Sequence, residues 1–122
     1  MANSETILSA QAHPGDSTTE SVTGEKYKGD GYYGRSEGLH TIQYSLVGFK
    51  GTVKIQATLA IDPIEEDWFT VYSADYDLDG SAEDSTSKFA SKITNFTGNY
   101  VWIRAQLSNW TDGSVNSIKL NH

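Results

Sequence analysis

From Leu39 onward the chain alternates apolar and polar residues with a period of two, the spacing that sends successive side chains to opposite faces of a strand. In LHTIQYSL, residues 39–46, His40, Ile42, Tyr44 and Leu46 share one face, and Thr41, Gln43 and Ser45 share the other. GTVKIQATL, residues 51–59, groups Val53, Ile55, Ala57 and Leu59 against Lys54, Gln56 and Thr58. A charged turn, DPIEED, leads into a third alternating run, WFTVYSAD. SKFASKITNF predicts another strand with Phe89 and Ile93 inward and Lys88 and Lys92 outward. YVWIRAQL then buries Val101, Ile103, Ala105 and Leu107, and SVNSIKL closes the series. No stretch sustains a 3.6-residue apolar period, so little helix is expected.

Strands recurring at intervals of ~8–12 residues with turn chemistry between them predict an antiparallel β-sandwich, jelly-roll-like in form. The first 38 residues differ: Pro14 and many glycines sit among small polar residues, which suits loops and short edge strands. ETILSAQA can supply a first strand, and GDGYYGRSEG sets Tyr32 and Tyr33 between glycines in a turn that folds back on the core. Residues 1–38 are thus expected to be an arm packed on a core formed by 39–122, in a single domain. Val53, Ile55, Ala57 and Leu59, entered through Phe49-Lys50-Gly51, are echoed by Val101, Ile103, Ala105 and Leu107, entered through Phe96-Thr97-Gly98. That echo predicts two similar sheets packed face to face.

Charge narrows the partners. Nine Lys and Arg stand against sixteen Asp and Glu, for a net charge of −7, a poor match to a phosphate backbone or an anionic membrane. Neither nucleic acid nor membrane is an expected partner. The absence of cysteine removes disulfides, thiolate metal sites and cysteine nucleophiles. MANSETILSAQ shows no basic-then-apolar leader pattern, which predicts a product made in the cytosol rather than exported by a signal peptide.

DYDLDGSAED begins like an EF-hand loop, with Asp75, Asp77 and Asp79 followed by Gly80. The loop's final, bidentate position falls on Thr86, and the flanks alternate as strands rather than helices. A solvated hairpin connection is favoured; the alternative is a calcium site of modest affinity using Asp75, Asp77, Asp79 and Glu83. Otherwise no cofactor is expected. His13, His40 and His122 have no metal-ligand spacing, and neither a nucleophile elbow nor a phosphate-binding loop is present. Glu65, Glu66 and Asp67 read as a solubilising rim. An enzyme is not predicted.

The aromatic residues say more. If Ile103 and its neighbours face the core, Tyr100, Trp102, Arg104 and Gln106 face outward. Such a row is a subunit interface, a surface covered by the chain's own N-terminal segment, or a sugar-stacking platform. Tyr32 and Tyr33 join it as interface candidates, whereas Trp68 and Trp110 read as core plugs.

GFKGTVKIQATLAIDPIEEDWFTV and NFTGNYVWIRAQLSNWTDGSVNSI, over residues 38–118, resemble short virion structural proteins of tailed bacteriophages, in particular those of marine T4-like cyanophages. The shared motifs are strands and turns, with no reaction centre. The resemblance implies a noncatalytic component of the particle, a head decoration, neck or tail protein, acting through contacts with itself and with other virion proteins. A module that reads a cell-surface glycan or host receptor is the alternative.

Overall fold

A computed structural model describes residues 4–15, 18–34, 38–78 and 88–121. Its strands are β1 (Ser4–Leu8), β2 (Gln11–Ala12), β3 (Glu20–Thr23), β4 (Tyr27–Lys28), β5 (Leu39–Thr58), β6 (Phe69–Asp77), β7 (Phe89–Thr97) and β8 (Trp102–Asn121), with a 3-10 turn at Glu65–Asp67. All pairings are antiparallel.

β5 and β8 are each 20 residues long, and each serves both layers of a sandwich. Leu39–Val47 pairs with β7 on one side and with the end of β8 on the other, and that end of β8 also pairs with β1 and β2. Beyond the bend, Lys50–Thr58 pairs with β6 and with the start of β8, whose other side carries β3 and β4. Let β1–β2 and β3–β4 each count as one arm, and let each half of β5 and β8 count as another. The first, eighth, third and sixth arms then form one layer, and the second, seventh, fourth and fifth form the other. That order is a jelly roll.

The bends are written in the backbone. Register slips occur between Val47 and Lys50 and between Lys50 and Thr52, where Gly48 has φ 59°. Opposite, Asn109 (φ 51°) and Gly113 (φ 86°) take the left-handed conformation that Gly and Asn tolerate best. The two strands touch there, and a Cβ on Gly113 would run into the Gly48 carbonyl. Asn109-Trp110-Thr111, a predicted turn, is therefore the corner of a continuous strand.

Between the layers, Ile42, Leu46, Ile118 and Leu120 meet Val53, Ile55, Ile103 and Leu107, all at most 1% exposed. The expected face of His40, Ile42, Tyr44 and Leu46 is fully inside. Tyr44 spans the core to β6, where its hydroxyl lies 2.9 Å from the Tyr72 hydroxyl and 2.7 Å from that of Tyr76. Trp110 plugs the corner as predicted, stacked near Phe49 at 6.2 Å.

Four expectations fail. Leu59 is 68% exposed because β5 ends at Thr58, one residue before the alternation stops. Phe89 and Ile93 are 45% and 65% exposed rather than inward. Their register explains it: Ile93 lies opposite Gln43 and Phe89 opposite Val47, on the outer face of β5, while Thr94 and Ala90 oppose the buried Ile42 and Leu46. Val101 precedes β8 and is half-buried. Finally, the two echoed segments do not found separate sheets. They pair with each other, Val53 opposite Leu107, Ile55 opposite Ala105 and Ala57 opposite Ile103.

Candidate functional site

Pairing of β4 with β8 sets Lys28 opposite Trp102, and this brings the arm onto the aromatic row. The turn that follows is pinned where Gly29 and Gly31 donate backbone hydrogen bonds to Val101 and Tyr100 carbonyls, each at 2.9 Å. Buried Asp30 and His40 hold its other side: the Asp30 N–H donates to His40 Nε2, and Gly38 N–H donates to the Asp30 carboxylate. Tyr32 is thereby placed 5.1 Å from Trp102 and 5.6 Å from Tyr33, centroid to centroid. The ammonium of Lys26 lies 4.7 Å from the Trp102 ring centre, and that of Lys28 lies 4.6 Å from the Tyr32 ring. Trp102 itself is half-buried, and its indole N–H donates to the Ile61 carbonyl at 2.8 Å. Three of the predicted interface residues, Tyr32, Tyr33 and Trp102, therefore form one cluster, with the two tyrosines nearly half exposed.

Arg104 does not belong to that surface. It is only 7% exposed, a correction to the outward row. The connection between β5 and β6 folds over it. Both terminal nitrogens bond the Glu65 carboxylate, at 2.7 and 3.1 Å, Nε donates to Gln56 at 2.8 Å, and Trp68 lies flat over the guanidinium at 4.3 Å. Hydrogen bonding and charge from Arg104 hold the Glu65 carboxyl below the ordinary carboxylate range. Glu65 is thus a partner rather than a solubilising rim, and Trp68 is a lid on Arg104 rather than a core plug. Tyr100 is half-buried, near Phe96 and His40, with its hydroxyl donating to the Thr97 carbonyl.

Of the possible calcium ligands, Asp79 and Glu83 lie outside the described residues. Asp75 accepts a 2.6 Å hydrogen bond from Thr52, and Asp77 lies 3.9 Å from the Lys50 ammonium on the same pair of strands. Both carboxylates are engaged with their cross-strand neighbours.

A second surface escaped the sequence reading. The outer face of the layer containing β7 carries Leu39, Val47, Phe89 and Ile93, all at least 36% exposed. Between them run Thr41 against Asn95, hydrogen-bonded at 2.7 Å, and Ser45 against Ser91, at 3.2 Å. Beside this face a groove of 320 Å³ opens between Ala10–Ala12, Phe89, Ser114 and Asn116. The parity of β7 was the missing piece, because with Phe89 and Ile93 assigned inward this face looks merely polar.

No family model matches the chain, and no curated protein matches it. Solved structures do. A cleaved adhesin domain (K1) of Lys-gingipain from Porphyromonas gingivalis aligns with TM-score 0.53 and 6% identity, over 98% of this chain and 97% of that one. The C-terminal CBM6 of LamC, a marine laminarinase from Zobellia galactanivorans, aligns with TM-score 0.47 and 13% identity over 98% and 100%. Infectious bursal disease virus, Gx strain, aligns with TM-score 0.49 and 9% identity over 99% of this chain but 32% of the viral one. At these identities the likeness is one of fold, the β-sandwich.

Proposed function

We propose that this chain is a noncatalytic accessory protein of a tailed-phage virion, working through protein–protein contact. One observation carries the reading: large apolar side chains stand in solvent on two surfaces. Leu59, Ile61, Ile64 and Phe69 are 63–75% exposed along the β5–β6 connection, and Leu39, Val47, Phe89 and Ile93 project from the β7 layer. Contiguous apolar surface of this kind marks a site that a partner covers. The resemblance of residues 38–118 to short virion proteins supplies the setting. Mass spectrometry of purified particles from a phage encoding the chain tests it: stoichiometric recovery is expected, and its absence from washed particles overturns the reading.

A second reading, a glycan-binding module, is favoured by the Tyr32–Tyr33–Trp102 cluster, since exposed aromatic rings stack on sugar faces. Retention on immobilised polysaccharide that disappears in Trp102→Ala would support it.

A further inference from the structure

The inference deepens the assembly reading and rests on it: it names the surface and the partner. In β5 the outward residues from Leu39 to Val47 are Leu, Thr, Gln, Ser and Val, and in β7 those from Phe89 to Thr97 are Phe, Ser, Ile, Asn and Thr. None is charged, although the chain carries nine basic and sixteen acidic residues. The neutrality continues sideways, because the groove wall formed by Ala10–Ala12, Ser114 and Asn116 is uncharged too. The charges that rim this face are both lysines. Lys88 reaches over the Phe89 ring at 5.4 Å, and Lys119 stands exposed opposite Gln43.

We infer that this uncharged outer face of the β7 layer is where a second copy of the chain docks, back to back. Two bodies of charge −7 repel one another, and that repulsion is least where neither presents a charge. Extent agrees with this occupant. Four strands at about 4.8 Å spacing, each running about 25–30 Å, present on the order of 500 Å² per copy. A pair then buries roughly 1,000 Å², the lower bound of a specific interface. The composition is that of an interface core, apolar knobs among hydroxyls and amides with charge confined to the rim. Phe89 and Ile93 rise beside the groove, so in a two-fold arrangement each copy offers both a projection and a recess. Because both rim charges are lysines, the two-fold pair gains no ion pair from them.

Sedimentation of the full chain over a range of concentration and salt tests this. A dimer is expected whose association holds or strengthens as salt rises from about 0.05 to 0.5 M, because salt screens only the net repulsion. Ile93→Asp, which places two like charges in the symmetric contact, should raise the dissociation constant at least tenfold, and the exposed Gln43→Glu should act in the same direction. Both variants should keep the wild-type melting temperature, and Trp102→Ala should leave association unchanged. A wild-type monomer at high concentration overturns the inference, as does association that salt weakens or that Trp102→Ala abolishes. So does a monomer that binds a neutral β-glucan and loses it in Ile93→Asp, which would make the groove a saccharide site. If the chain is recovered from particles as a monomer, the inference falls while the assembly reading stands. If it dimerises through this face but is absent from particles, the reading falls and the inference stands.

Discussion

Arg104 lies between two strand residues that are wholly buried, Ile103 and Ala105, and is itself buried on the opposite face. A cation there is tolerable because every part of the guanidinium is engaged: two nitrogens by Glu65, one by Gln56, and its plane by Trp68. Glu65 is largely solvated, so the pair contributes modestly and depends on pH. Its carboxyl titrates lower folded than unfolded. The contribution is therefore complete above the ordinary carboxylate range and is lost as pH falls through the lower, folded value. Glu65→Gln should be less stable than wild type at neutral pH, and thermal melts should show the gap closing on acidification. A pH-independent gap would mean that the ionic contact contributes nothing. Tyr44 carries the opposite sign. Burial, then hydrogen bonds with Tyr72 and Tyr76, push its phenol far above the usual value, so the protection it gives is complete below the ordinary tyrosine range and is lost as pH rises. Tyr44→Phe should cost about 1 kcal/mol at pH 7, as removal of one net hydrogen-bonding group does. The loss would be read from chemical denaturation.

At the scale of elements, β7 and β8 make contrasting predictions. Ile103→Ala in β8 empties a fully buried site and should cost about 2–5 kcal/mol through lost transfer energy and the cavity left behind. Ile93→Ala in β7 should change stability by less than about 0.5 kcal/mol, because that side chain stands in solvent. Equal sensitivity in denaturant titrations would show that β7 is turned the other way. At the corner, Gly113→Ala combines a positive φ with a clash against the Gly48 carbonyl, so it should destabilise more than replacement of an exposed loop glycine. Gly34, which also has a positive φ but nothing near its missing Cβ, is the control. A similar loss at both positions would make conformational strain, not the approach of β5 to β8, the cause.

At the scale of the molecule, two long bent strands tie the layers into one unit, so unfolding should be cooperative. The outer surfaces differ in character. The face bearing Trp102 is covered by its own chain, by the arm at Tyr32 and by the β5–β6 connection at Arg104. The face bearing Ile93 and Leu39 is left open. Sequence reasoning placed the exposed surface on Trp102 and Arg104, and only in part does it lie there. The tyrosine turn and the strand faces of β5 and β8 were legible because each depends on residues close in sequence: glycines flanking Tyr32 and Tyr33, and alternation through Ile42–Leu46, Val53–Ala57 and Ile103–Leu107. The cover over Arg104 was not legible, since Glu65, Trp68 and Gln56 reach it only after β5 pairs with β8.

By itself the sequence determined that the chain forms strands, which residues share a face within most of them, and that the strands build an antiparallel sandwich. Period-two alternation is a local property, set by the geometry of an extended backbone. Tertiary structure alone decided which parity of β7 faces inward, because an edge strand with apolar residues on both faces takes its orientation from the register of its neighbour: Ile93 against Gln43, Thr94 against Ile42. It also decided that residues 39–58 and 102–121 are single bent strands paired with each other. That outcome depends on Gly48 and Gly113 meeting across the corner, a contact between positions far apart in the chain that no local pattern encodes.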